Sequence, residues 1–159
     1  MGCNGGNLPY VWQYMESNGI PTDSCDPYVS GSGNSHTGEC SHQCSNQEFY
    51  TATNIGGFYS NNDIKMSIMQ SGPVQTGFTV YQDFMSYKSG IYTHQTGSQL
   101  GGHAVKIVGW GEQDGTDYWI VANSWGPTWG MEGFFNIATN QCGISDDVYV
   151  GEAGSSKSS

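Results

Sequence analysis

The sequence predicts an α+β chain in which a small antiparallel β-barrel or curled sheet holds most of the core. Three observations predict it. Residues 74–80, 103–110, 117–123 and 133–138 are short runs rich in Val, Ile, Phe and Trp, bounded by glycines. Asp114-Gly115 separates two of these runs as a hairpin turn. Only two stretches show helical periodicity, and both precede the runs.

In chain order, residues 8–18 place Leu8, Val11, Trp12 and Met15 on one helical face, and Gly19 is the stop. Residues 20–57 are rich in Gly, Ser, Asn and Cys with little periodicity. They read as a connecting loop, one so long that it needs a staple or a function. Ser60-Asn61-Asn62-Asp63 starts a second helix as a capping box. Ile64, Ile68 and Met69 give that helix its apolar face, and Gly72-Pro73 ends it. Residues 58–151 form the core domain. Residues 152–159, ending Ser155-Ser156-Lys157-Ser158-Ser159, read as a frayed, disordered tail.

The chain has 159 residues, enough for a real core. Charged residues make up only 11%, against roughly 25% in an average soluble domain. Four Lys+Arg face 14 Asp+Glu, a net charge of −10. Such a chain repels phosphate backbones and has no basic stripe, so nucleic-acid binding is not expected. No apolar run reaches 18 residues, so no membrane span is expected. The start lacks the basic and apolar regions of a secretion signal. Five cysteines, Cys3, Cys25, Cys40, Cys44 and Cys142, leave at least one thiol unpaired within the chain. Either Cys142 is a free buried thiol, or a partner cysteine lies in sequence outside this chain. His36, Cys40, His42 and Cys44 are metal-ligating types, but they are packed more tightly than zinc-finger spacing, and no metal or other cofactor is expected.

His103 and Asn123 carry the chemistry. A thiol nucleophile must lose its proton at working pH, and a neighbouring imidazole can hold that proton as an ion pair. The ring must present the right nitrogen, and a side-chain amide oxygen on its far side can fix it, as a carboxylate does in a serine triad. His103 begins the strand Ala104–Val108, and Asn123 ends the strand Tyr118–Ala122. Antiparallel pairing through Asp114-Gly115 brings the two opposite or nearly opposite each other, with Trp125 close enough to cover them. Spacing alone also fits a strand histidine satisfied by a backbone carbonyl, with Asn123 as a turn residue.

Further residues carry a resemblance. Gly2-Cys3-Asn4-Gly5-Gly6, Gly72-Pro73-Val74, Tyr87-Lys88-Ser89-Gly90-Ile91-Tyr92, Gly102-His103-Ala104-Val105, Gly109-Trp110-Gly111, Tyr118-Trp119-Ile120-Val121-Ala122-Asn123-Ser124-Trp125-Gly126 and Trp129-Gly130 resemble papain-family cysteine proteases in order and spacing. Val80-Tyr81-Gln82-Asp83-Phe84, Gly133-Phe134-Phe135 and Asn140-Gln141-Cys142-Gly143-Ile144 resemble the cathepsin B-like branch. The resemblance implies a papain-like fold that is incomplete. Residues 1–19 would be a remnant of the helical left domain, 20–57 a disulfide-stapled loop, and 58–151 the right-hand β-barrel domain.

The resemblance also implies roles. His103 would be the general base and Asn123 its orienter. Trp125 would shield the pair, and Trp129 would line the leaving-group side. Gly5 and Gly6 would pair with extended substrate backbone. Pro9, Gly77 and Ala104 would form the pocket for the side chain before the cleaved residue, with Asp147 at its floor to meet Arg; a solvated surface acid is the alternative for Asp147. Cys25–Cys44 would be a retained disulfide, and Cys3 and Cys40 would have lost their partners. The partners implied are a peptide or protein substrate and an N-terminal half carrying the nucleophilic cysteine. The implied location is a lysosome-like vesicle or the cell exterior.

The chain departs from the family in two ways. The family's nucleophile lies in a Cys-Gly-Ser-Cys-Trp segment well upstream of the histidine, and none of the five cysteines here has that motif. The base and orienter are present without the nucleophile, so the chain alone is expected to be inactive. The loop between Cys25 and Cys44 is also short, and His36 and His42 are not adjacent as are the cleft-blocking histidines of cathepsin B, so the complete protein is expected to be an endopeptidase. The alternative is a non-catalytic relative that binds peptides or protein partners.

Overall fold

The computed structural model describes residues 4–29 and 48–158. Two compact units are present: Gly56–Val150, and the residues up to Ile55 together with those from Gly151 onward.

The Gly56–Val150 unit is built on a mixed sheet. Its strands are β2 (Val74–Tyr81), β3 (Ile91–Tyr92), β4 (Gln99–Gln113), β5 (Thr116–Ala122), β6 (Phe134–Ala138) and the first residues of β7 (Val148–Ser158), in the order β7-β2-β4-β5-β6-β3. The pairing is antiparallel as expected, with one parallel exception. β3 pairs with β6 in parallel, Ile91 with Asn136 and Tyr92 with Ile137. This two-residue strand is too short to show a period in the sequence, and the β6 ladder is what defines it.

Alternation builds the core. Val74, Thr76, Phe78 and Val80 of β2 all point inward. They meet Val105 and Ile107 of β4, Trp119 and Val121 of β5, and Phe135 and Ile137 of β6. Thr76 is buried without penalty because its hydroxyl donates to the Ile144 carbonyl at 2.7 Å. The buried Trp119 indole likewise donates to Ser145 Oγ at 2.9 Å. The helix α2 (Asn61–Ser71) starts as its capping residues dictate: Ser60 Oγ accepts from Asp63 N at 3.2 Å and donates to Asp63 Oδ2 at 2.6 Å. Gly72 closes the helix at φ 95°. The hairpin turn has Asp114 at φ 52° and Gly115 at φ 76°, the two positive values that a type I′ turn requires.

The other unit contains α1 (Leu8–Ser17), β1 (Glu48–Phe58, through Ile55) and the rest of β7. Asn7 caps α1, and Pro9 occupies its first turn, where the missing N–H costs nothing. Two expectations fail here. The connecting loop 20–57 ends in a strand, and the tail 152–159 is the second half of β7 up to Ser158. Each segment lacks a hydrophobic period of its own and is held by the other. Thr51 Oγ1 donates to the Ser155 carbonyl at 2.9 Å, and Asn54 Nδ2 donates to Glu152 Oε2 at 2.7 Å. Such pairing across about a hundred residues leaves no local mark.

Cys25 is buried and disulfide-bonded. Its expected partner Cys44 lies outside the described residues, as do Cys3, Cys40, His36 and His42. Cys142 is a free thiol.

Candidate active site

β4 carries His103 opposite Phe78 of β2. On its other side β4 pairs with β5, Lys106 with Ala122 and Ile107 with Val121, after a register shift between Ile107 and Gly109. Continued at that register, His103 would lie across from position 125 rather than 123. β5 ends at Ala122, and Asn123 leaves the ladder with its N–H donating to the Gly133 carbonyl at 3.0 Å. Its side chain then reaches back, and His103 Nε2 lies 2.8 Å from Asn123 Oδ1. Trp125 stacks on the imidazole, with ring centroids 5.0 Å apart and planes 21° apart. Both contacts come from the segment that follows β5.

One backbone group sets the proton positions. Ser124 N–H donates to Asn123 Oδ1 at 2.8 Å. A backbone N–H can only donate, so Oδ1 must face it. The same oxygen faces His103 Nε2, which must therefore carry the hydrogen. Nδ1 takes no part in this contact. Sequence reading missed Ser124, because its contribution comes from the main chain. Asn123 Nδ2 is buried with no hydrogen-bond partner among the described residues. Such an unpaired buried donor costs about 1–3 kcal/mol.

Aromatic packing holds the pair from behind. The Phe84 ring is fully buried, 5.5 Å from Trp125, 5.0 Å from Trp129 and 5.2 Å from Phe78. Trp129 meets Trp125 edge-on at 5.0 Å and anchors its indole N–H on the Met85 carbonyl at 3.3 Å. Phe84 went unrecognised as a support because it lies about forty residues from the indoles it props.

The remaining expected residues are distributed as follows. Gly77 and Ala104 are partners in the β2–β4 ladder, and Gly77 N–H donates to the Asp147 carbonyl at 3.3 Å. Ala104 and Asp147 are exposed. The Asp147 carboxylate accepts a hydrogen bond from Tyr149, which together with burial raises the Tyr149 phenol above its usual range. Gly5, Gly6 and Pro9 belong to the other unit, where Gly5 has φ 92° and open space where a Cβ would stand. No cluster of three or more His, Cys, Asp or Glu side chains suited to a metal occurs among the described residues.

A second polar cluster lies on the short 3₁₀ turn Gln82–Ser86. Asp83 accepts from Tyr92 OH at 2.7 Å, Gln95 N at 2.8 Å and Thr96 N at 3.1 Å, and His94 Nδ1 lies 3.1 Å from its Oδ1. Burial works to raise the Asp83 carboxyl. The bonds from Gln95, Tyr92, Thr96 and His94 outweigh it and hold the group well below the usual carboxylate range. Burial and the Asp83 charge push the Cys142 thiol up, against a hydrogen bond with Tyr92.

Comparison with known proteins gives the chain its family. The family model for papain family cysteine proteases matches residues 1–152. Cathepsin B-like protease 1 of Arabidopsis thaliana is 43% identical over 168 residues, covering 94% of this chain and 44% of the relative. Cathepsin B-like CP3 of Giardia intestinalis is 45% identical, covering 95% and 53%. The solved procathepsin B S9 from Trypanosoma congolense superposes with a TM-score of 0.87 at 36% identity, over 97% of this chain and 56% of that one. The chain therefore spans about half the length of the relatives it matches. It belongs to the papain family of cysteine proteases and is similar to cathepsin B-like members of it.

Proposed function

We propose that this chain supplies the base and the orienter of a cathepsin B-like cysteine peptidase whose nucleophilic cysteine comes from a segment beyond these 159 residues. The observation that carries the reading is the 2.8 Å contact from His103 Nε2 to Asn123 Oδ1. In the complete site the cysteine thiol gives its proton to Nδ1. The thiolate attacks the peptide carbonyl, and the imidazolium returns the proton to the departing amine. Water then cleaves the thioester, with Nδ1 taking its proton. The Asn123 amide holds the ring in plane without competing for that proton.

Gly5 and Gly6 align the substrate backbone. Gly77 and Ala104 line the specificity pocket, where Asp147 favours Arg. Trp129 borders the leaving-group side. Cys25 pairs with Cys44. The complete enzyme acts as an endopeptidase in a lysosome-like vesicle or outside the cell, and the acid-resistant Asp83 cluster suits the former.

The test compares this chain alone with the chain joined to the cysteine-bearing N-terminal segment of a cathepsin B-like relative. The chain alone hydrolyses no peptide substrate. The joined protein cleaves within peptides and loses that activity in His103→Ala. A folded joined protein that binds peptides without turnover would instead support a non-catalytic relative. Strong release of C-terminal dipeptides would count against the endopeptidase reading.

A further inference from the structure

We propose that Asp83 is a positioning residue for the His103–Asn123 pair. The carboxylate touches neither residue, yet it governs two connections to them.

The first connection is the segment that feeds β4. Residues 93–98 run from β3 to Gln99, four residues before His103. Asp83 binds this segment through the N–H groups of Gln95 and Thr96 and through the His94 ring. The neighbouring Gln82 adds a reciprocal pair, accepting from Ser98 N at its Oε1 and donating its own N–H to the Ser98 carbonyl, each at 3.1 Å. Gly97 lets the segment lie this close. It has φ 98°, and a Cβ there would stand 2.7 Å from Gln82 Cβ. Tyr81 completes the clamp by stacking on His94 with centroids 3.7 Å apart. β4 therefore starts from a pinned end.

The second connection is the aromatic support. Asp83 and Phe84 are adjacent on one 3₁₀ turn. Phe84 props Trp125, and Trp125 stacks on His103. Tyr92 links the two arms, since its hydroxyl donates to Asp83 while its ring packs edge-on against Phe84 at 5.0 Å. Loosening the carboxylate frees both the strand that carries the imidazole and the indole that covers it.

The proposal uses the reading of His103 as the proton-handling residue, but its test needs no turnover and so can fail separately from the peptidase reading. The ring ¹⁵N shifts of His103 report which nitrogen carries the hydrogen. The wild-type chain shows a protonated Nε2 and a bare Nδ1. Asp83→Asn lowers the ratio of this tautomer to the other roughly two- to thirtyfold, the range that coupling through packed networks spans. The Trp119 indole N–H, hydrogen-bonded to Ser145 in the core, keeps its shift. Tyr92→Phe removes a single oxygen from the same network, moves the ratio less in the same direction, and decides the matter if Asp83→Asn does not fold. Folded variants with unmoved His103 shifts overturn the proposal. So does a parallel change at His103 and Trp119, which would make Asp83 a general structural residue.

Discussion

The molecule places two imidazoles in matching settings and gives them different partners. His103 stacks on Trp125 and meets the neutral amide of Asn123. His94 stacks on Tyr81 and meets the carboxylate of Asp83. A carboxylate meets its ring with a full charge, whereas an amide meets its ring with only a dipole. The carboxylate in turn is saturated by two backbone N–H groups and a phenol, so that cluster works as a fastener. The amide centre keeps a donor on Asn123 that has no partner among the described residues. The two rings thus share an aromatic neighbour and differ in the charge of the partner beside them.

The change with the largest effect removes what both centres share. Phe84→Ala deletes a fully buried ring packed against Phe78, Tyr92, Trp125, Trp129 and Phe135, and is expected to cost about 3–5 kcal/mol. Urea unfolding will show the loss, which approaches the whole stability of a typical domain. A cost below about 1 kcal/mol would mean that the aromatic support is not shared.

Asn123→Ala separates the reactive centre from the fastener. It strips the acceptor from His103 Nε2 and Ser124 N together and also removes the unpartnered Nδ2, so two costs of about 1–3 kcal/mol each largely offset in stability. The His103 ring ¹⁵N shifts should collapse toward those of a free imidazole while the His94 signals stay in place. Unchanged His103 shifts would show that Trp125 alone orients the ring.

The fastener has its own signature in pH. The folded Asp83 carboxyl titrates below its ordinary value of 3.8, so it contributes stability above that value and loses it as pH falls through the lower, folded value. Asp83→Asn should therefore melt below wild type at about pH 6, and the gap should close as acid protonates the wild-type carboxyl. A gap that widens in acid would reverse the assigned sign.

The smallest expected effect is at Cys142. Burial first, then the Asp83 charge, raises its thiol, which leaves little thiolate near neutrality. Alkylation followed by peptide-resolved mass spectrometry should show Cys142 reacting more slowly than a free model thiol, and faster in Asp83→Asn than in wild type.

Much of this was legible before any coordinates. The runs that became β2, β4, β5 and β6, the Ser60 cap and the Asp114-Gly115 turn all stand in the residue pattern, and so does the pairing of His103 with Asn123. The exact reach was not legible, because the register shift between Ile107 and Gly109 changes which residue faces which. β1 and the end of β7 were hidden for a related reason: they are joined by contacts between residues about a hundred positions apart, which no local pattern marks.

Sequence by itself determined the elements whose causes are local, since caps, turns and alternation depend on residues within a few positions of each other. It also determined the chemistry on offer, an imidazole and an amide without their thiol motif. Only the tertiary structure decided that Ser124 N–H sets the tautomer, that Phe84 supports the indoles and that Asp83 fastens the approach to His103. Each of these depends on a backbone direction or on groups brought together by folding, and no local pattern encodes where such groups will meet.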